Sequence, residues 1–235
     1  MNLKTIGLLG GVGWTSTMEY YRRLNEAVYH ELGGHNSAKI LLSSVNFDDI
    51  LEFQSSGDIN AEESFLEIEM SKLEKAGADC IAICSNTTNK TAARLANKVS
   101  VPLLNLPELV ASKVASLNIN KVGLLGTKYV MYGSFYKDYF SKLGIETIVP
   151  NASDGASVHT IIYDELVKGS VLARSAAEVD RIAISLMTSG AEAIVYGCTE
   201  LPLLLKYSSG QYPVIDTIAV HVEALRKFIF PDEKL

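Results

Sequence analysis

The feature that most constrains this chain is a strand-to-turn corner that occurs twice. Ala191-Glu192-Ala193-Ile194-Val195-Tyr196-Gly197-Cys198-Thr199-Glu200-Leu201 reads as a short apolar strand that stops at Gly197 and turns into a helix at Thr199. A fainter copy, Gly77-Ala78-Asp79-Cys80-Ile81-Ala82-Ile83-Cys84-Ser85-Asn86-Thr87, lies 113 residues earlier. Ile6-Gly7-Leu8-Leu9-Gly10-Gly11 matches Val122-Gly123-Leu124-Leu125-Gly126-Thr127 at an offset of 116, and Val101-Pro102-Leu103-Leu104-Asn105 matches Tyr212-Pro213-Val214-Ile215-Asp216 at 111. Three matches in one order predict two similar halves. Each is too long for a solenoid repeat and about right for a small α/β domain.

The register of the repeat sets Cys198 opposite Ser85 and Gly197 opposite Cys84. If the halves are related by a pseudo-twofold axis, Ser85 and Cys198 approach one site from opposite sides. Two proton carriers on opposite faces of one carbon is the layout that inverting a stereocentre requires. A thiol at the mouth of a helix N-terminus is expected to have its thiolate favoured. The plainer reading of Cys198 is a small buried hydrophobe at a strand end.

Strands alternate with helices along the chain. Strands are predicted over Lys4–Leu9, Lys39–Ser44, Cys80–Cys84, after Pro102, over Lys121–Leu125, near Thr147, before Cys198 and at Val214-Ile215. Helices are predicted from a cap at Thr15 or Ser16 to Leu32, and over Glu62–Lys75, Thr87–Lys98, Met131–Leu143, Val158–Val167, Ala176–Ser189 and Thr217–Phe230. This alternation predicts an α/β fold of parallel sheets covered on both faces by helices. Ligands then bind beyond the C-terminal strand ends, where Gly10–Trp14, Ser85–Thr88, Gly126–Tyr129 and Cys198–Glu200 all fall.

Composition narrows the function classes. Net charge is −6 with no Lys/Arg run, which argues against nucleic acid as a partner. No apolar run is long enough to span a membrane, and the opening lacks a signal-peptide pattern. Three cysteines on apolar strands read as free thiols in a reducing cytoplasm. No His/Cys spacing suggests a metal. Gly10-Gly11-Val12-Gly13 lacks the third glycine of a dinucleotide loop, because Ser16 stands at that spacing. A loop whose N–H groups approach a carboxylate fits better.

Asn86, Thr87 and Thr199 read as carboxylate binders, with capped helix starts as the alternative. Cys84 is the rival thiol of the first half, although strand alternation points it away from the face that Ser85 uses. Cys80 reads as core and His221 as a satisfied structural histidine. Trp14 either walls a pocket or fills the core; Tyr20-Tyr21 and Tyr129-Val130-Met131-Tyr132 either line a cleft or pack.

These residues resemble the aspartate/glutamate racemase family over nearly the whole chain, from Ile6-Gly7-Leu8-Leu9-Gly10-Gly11 through Gly197-Cys198-Thr199-Glu200-Leu201 to Asp216-Thr217 and His221. Gly10-Gly11-Val12-Gly13-Trp14-Thr15-Ser16-Thr17 resembles the opening of its broad-specificity and L-aspartate/glutamate-specific branch, where a hydroxyl residue replaces the first cysteine. The resemblance implies two similar domains with the site in the cleft between them. It implies a crossover of the C-terminal helix, giving a first domain of residues 1–101 plus 217–235 and a second of 102–216. It implies a cofactor-independent, PLP-independent racemase with Cys198 and Ser85 as the acid/base pair, working in the cytoplasm as a homodimer. Gly11, Trp14, Asn86, Thr87, Thr127, Thr199, Glu200 and Lys168 are then the substrate-binding candidates.

Two departures stand out. The usual first corner, C-N-T-x-H, is Ser85-Asn86-Thr87-Thr88-Asn89 here, and the early Arg that binds the side-chain carboxylate has no counterpart in Asn46-Phe47-Asp48-Asp49. Lys168 and Lys128 are the possible substitutes. The departures leave two rivals open: a relic that binds an acidic amino acid without turnover, and a one-cysteine decarboxylase or isomerase of a small diacid.

Overall fold

The computed structural model describes residues 3–230. The remaining ends of the expected first domain, residues 1–2 and 231–235, lie outside them. The chain divides into two compact units, Met1–Asn105 with His221–Leu235, and Leu106–Val220.

The first unit is built on a three-stranded parallel sheet of order β2-β1-β3. Its strands are β1 (Thr5–Gly10), β2 (Lys39–Ser44) and β3 (Cys80–Ile83). β1 and β3 are continuous apolar runs and wholly buried but for Thr5, as expected of strands covered on both faces. β2 is the edge and is only partly covered. Helices α1 (Trp14–Leu32), α2 (Phe47–Ser56) and α3 (Ile59–Lys75) connect the strands. Leu9, Ile81 and Ile83 pack against Leu66, Met70 and Leu73 of α3. The expected strand after Pro102 is a single bridge, Leu103 to Ile81. α2 packs Phe47, Ile50 and Phe53 on the first core and is not among the helices expected from the sequence.

Two expectations fail at the ends of these strands. α1 begins at Trp14, with Gly13 at its cap in a positive-φ conformation, rather than being capped by Thr15 or Ser16. The Ser16 hydroxyl instead donates to the Cys84 carbonyl at 2.7 Å, and the Thr17 hydroxyl accepts the Gly11 N–H at 2.9 Å. The helix expected over Thr87–Lys98 is a 3-10 turn, Thr88–Thr91, followed by the one-turn α4, Ala92–Leu95. Five hydroxyl and amide residues in a row, Ser85 to Asn89, favour local bonds that compete with an α-helical ladder there.

In the second unit a four-stranded parallel sheet has the order β5-β4-β6-β7. Its strands are β4 (Lys121–Gly126), β5 (Glu146–Ile148), β6 (Ala193–Gly197) and β7 (Val214–Asp216). β4 and β6 are the central pair, in register from Val122 opposite Ala193 to Gly126 opposite Gly197. A helix not predicted from the sequence, α5 (Leu106–Ser116), buries Val110 and Val114 against Val122, Leu124 and Val195. The expected helix over Met131–Leu143 is split into α6 (Lys128–Tyr132) and α7 (Phe135–Lys142) at Gly133-Ser134. α8 (Ala152–Thr160) starts earlier than predicted, widens into a π turn over Ile161–Glu165 and tightens to a 3-10 turn at Leu166–Lys168. α9 (Ala173–Thr188) covers β4 and β6 through Val179, Ile182, Ala183 and Leu186. α10 is Thr217–Ile229. Asp216 accepts the Ile218 N–H at 2.9 Å at its start.

Candidate active site

Each unit presents one corner where a buried parallel strand ends, β3 in the first and β6 in the second. In the second unit β6 stops at Gly197 and the chain turns through Cys198-Thr199-Glu200 into a 3-10 helix over Leu201–Lys206. Gly126 and Gly197 let the strand ends approach closely. A Cβ on Gly126 would lie 2.9 Å from the Gly197 carbonyl oxygen.

Cys198 is 6% exposed. Its Sγ donates to Glu200 Oε2 at 3.1 Å, and the Thr199 hydroxyl donates to the same oxygen at 2.6 Å. The expectation of a favoured thiolate is not met. Burial, with the Glu200 carboxylate beside it, pushes the Cys198 thiol well above its ordinary value, although the N–H groups of Glu200 and Leu201 point at the sulfur and oppose this. The following helix is a short 3-10 segment with little dipole to offset burial. The resting group is a thiol with a carboxylate waiting on its proton. Glu200 therefore turns its carboxylate to the sulfur and to the Thr199 hydroxyl.

The first unit's corner runs from β3 through Ser85-Asn86-Thr87. All three residues are buried. The Ser85 hydroxyl accepts the Thr88 N–H at 3.3 Å, and among the described residues no imidazole or carboxylate touches it. Asn89, which stands where the resemblance led one to look for a His, holds the turn closed. Its amide nitrogen donates to the carbonyls of Ile83 at 3.0 Å and Ser85 at 2.6 Å. Cys84 is fully buried, its N–H paired with the Leu9 carbonyl, and burial alone raises its thiol. Cys80 is core, with its thiol pushed up to about 12.

The remaining candidates are scattered by role. Gly11 sits at φ +85°, where a Cβ would collide with the Val45 backbone, and its N–H is committed to Thr17. The N–H groups of Val12 and Gly13 make no hydrogen bond among the described residues, so the open donors lie one and two residues further on. Trp14 is 59% exposed and lines a cavity of about 480 Å³ with Met18, Tyr21, Leu42 and Arg22; it is not core. Thr127 is buried and caps α6 by accepting the Val130 N–H. Lys168 is exposed and paired with Asp164 at 3.3 Å. His221 is buried between the Tyr20 hydroxyl, 2.8 Å from Nδ1, and the Leu104 carbonyl, 3.0 Å from Nε2. Burial lowers its value to about 4, so it is a neutral structural imidazole.

Sequence reasoning missed His159 and Tyr163, which the α8–π segment brings to the second corner. Tyr163 packs on the cluster that contains Cys198, and its ring lies 4.6 Å from that of His159. The signal available was their spacing of four on one expected helix.

Each unit thus ends one buried strand in a corner, Cys198 following β6 and Ser85 following β3. Among the described residues no group of three or more His, Cys, Asp or Glu is placed to hold a metal ion. The Asp/Glu/hydantoin racemase family profile matches residues 9–225. A crystal structure from Yersinia pestis, provisionally described as an Asp/Glu racemase, is 38% identical, with a TM-score of 0.87, covering 97% of this chain and 100% of that one. An aspartate racemase homologue from Pyrococcus horikoshii OT3 is 28% identical, with a TM-score of 0.84 and coverage of 97% and 100%. The fold also matches aspartate racemase from Picrophilus torridus at 22% identity and a TM-score of 0.73, covering 95% and 93%. The family profile and the fold define a PLP-independent amino-acid racemase. This chain belongs to the Asp/Glu/hydantoin racemase family. None of its described helices is long and apolar enough to cross a membrane.

Proposed function

We propose that the protein racemises aspartate, glutamate or a similar small amino acid, with Cys198 serving one face of Cα and Ser85 the other. The observation that carries this reading is the Cys198–Glu200 pair. A thiol held 3.1 Å from a buried carboxylate can shed its proton to Glu200 when substrate arrives, and the thiolate then takes the Cα proton. Ser85 delivers its hydroxyl proton to the opposite face and regains one from solvent. The Thr88 N–H, already directed at the Ser85 oxygen, faces the oxyanion left behind. The α-carboxylate is held by open amides, those of Val12, Gly13 and Thr199, helped by Asn86, Thr87 and Thr127, so that carbanion charge is stabilised as it forms.

The protein works as a cytoplasmic homodimer in this reading. Three free cysteines support the reducing compartment. The exposed apolar face of Trp14, Met18, Tyr21 and Leu42 supports a covered surface on the first unit.

Incubation of L- and D-aspartate separately in D₂O, with α-deuterium and enantiomeric excess followed together, tests the assignment. L-Aspartate is expected to exchange partly with retention, because the Cys198 thiol swaps its proton before Ser85 acts. D-Aspartate is expected to exchange mainly with inversion. Equal retention from both enantiomers overturns the pairing. The absence of any base on Ser85 among the described residues favours a second reading, one-cysteine chemistry on a small diacid. Turnover of maleate or an arylmalonate without amino-acid exchange would select it.

A further inference from the structure

We infer that Asp180 is a positioning residue for the Cys198–Glu200 pair, because its one carboxylate gathers both ends of the segment that carries them. The inference rests on the racemase reading above and adds to it a residue that acts through Cys198. Tyr196 stands two residues before Cys198 on β6, and Ser208–Tyr212 follow the 3-10 helix over Leu201–Lys206. Asp180 lies on α9, whose Val179 and Ile182 pack in one buried cluster with Tyr196, Cys198, Leu201 and Leu204.

Four bonds converge on the carboxylate. Oδ1 accepts the Ser208 hydroxyl at 2.6 Å and the Tyr212 hydroxyl at 2.8 Å. Oδ2 accepts the Ser209 N–H at 2.8 Å and the Gly210 N–H at 3.0 Å. The Tyr212 proton is thereby committed, so the Tyr196 hydroxyl, 2.9 Å away, is the donor to the Tyr212 oxygen. Gly210 lets the loop close: a Cβ there would lie 3.0 Å from Oδ1 and would collide with the Tyr212 ring. Asp180 is 5% exposed, and burial works against its charge, yet these bonds hold its carboxyl below the ordinary value. An apolar side chain would fill the position without that desolvation. What the carboxylate alone supplies is several directed bonds to one point.

The corner needs such an anchor. From Cys198 onward the backbone is held by three-residue turns: the Leu201 N–H donates to the Cys198 carbonyl at 3.3 Å, Leu203 to Glu200 at 3.0 Å and Tyr207 to Leu204 at 2.9 Å. Turns of this kind have poorer hydrogen-bond geometry than an α-helix. The run ends at Ser208, whose N–H donates to the Leu204 carbonyl at 3.0 Å and whose hydroxyl is fixed on Asp180. Held before and after the corner, the segment keeps Cys198 Sγ 3.1 Å from Glu200 Oε2, the separation on which the proton transfer depends.

The test compares Asp180→Ala, Asp180→Asn and Tyr212→Phe with wild type in the full-length protein. One readout is kcat and KM for α-deuterium exchange of L-aspartate in D₂O. The other is alkylation of Cys198 by iodoacetamide, resolved by peptide mass mapping, in water and in low urea. Alkylation through a local shift of the corner is insensitive to low urea, whereas alkylation through unfolding rises with it. Asp180→Ala should lower kcat by about ten- to a hundredfold with KM changed less than about threefold, and should speed urea-insensitive alkylation about tenfold. Asp180→Asn should recover most of both, since its carbonyl can accept the two N–H groups and its NH₂ can donate to the two hydroxyl oxygens. Tyr212→Phe keeps the ring, removes the link to Tyr196 and should move both readouts the same way by less; it carries the test if Asp180→Ala does not fold. Wild-type kcat and alkylation in the folded variants overturn the inference, and so does alkylation that increases only in step with urea. Faster urea-insensitive alkylation in a protein whose wild type exchanges no α-hydrogen supports the positioning role and overturns the racemase reading.

Discussion

The Cys198 thiol donates to the Glu200 carboxylate across 3.1 Å, and both groups are buried. A thiol whose ionisation is opposed by its neighbour's charge is a poor base until that neighbour takes its proton. Glu200→Gln removes the charge and the group that can take the proton, while keeping an oxygen that can accept a hydrogen bond. Turnover is expected to fall by about 10²–10³-fold. Removing the negative charge should meanwhile lower the pH at which Cys198 becomes alkylated by iodoacetamide. Turnover that survives while the alkylation midpoint drops would mean that Glu200 only detunes the thiol and carries no proton.

Cys198→Ala tests the thiol itself. Activity should disappear. The cavity left by one sulfur at the margin of the second core should cost about 1–2 kcal/mol in denaturant unfolding. Retained wild-type activity would remove Cys198 from the reaction.

The Lys90–Glu62 pair supports the first corner. Lys90 lies in the 3-10 turn after Thr87, and its ammonium is 2.7 Å from the Glu62 carboxylate on α3, whose side chain is 1% exposed. Lys90→Met leaves that carboxylate buried without its cation. A loss of about 2–4 kcal/mol is expected in urea unfolding. A change within experimental error would show that the turn relaxes and lets water in.

His221 should make stability depend on pH. Its folded-state value is lowered to about 4, against about 6.5 in an unfolded chain. The unfolded chain therefore binds the proton first as pH falls, and the native state is favoured less. The stability contributed by the neutral imidazole is complete above about pH 6.5 and is lost as pH falls toward about 4. Between about pH 7 and pH 5 the loss should be about 2 kcal/mol, and His221→Gln should flatten that part of the profile. A variant with the same slope as wild type would assign it to other groups.

The two corners were legible because a buried parallel strand must be apolar throughout and must stop where the chain turns. Ile81–Ile83 and Ala193–Val195 announce their strands, and Ser85 and Cys198 follow as the first polar or reactive groups. The helices beyond the corners were less legible. Ser85 to Asn89 bond to nearby backbone, which favours a 3-10 turn over a regular helix. α2 and α5 were legible but unread: Phe47, Ile50 and Phe53, and Leu106, Val110 and Val114, stand at helical spacing and pack on the two cores.

By itself the sequence determined the α/β class, the two strand-end corners that carry Ser85 and Cys198, and the burial of Cys80, since these follow from periodicity and local spacing. Only the tertiary structure decided the protonation of the thiol, the use of the Gly11 amide, the exposure of Trp14 and the packing of Tyr163 on the cluster that holds Cys198. Ionisation depends on how much water and which charges surround a group, and a hydrogen bond depends on which distant segment packs against it. Neither is a property of local sequence: Glu200 lies two residues from Cys198, yet whether its carboxylate turns toward the sulfur or away from it is settled by the packing of the corner.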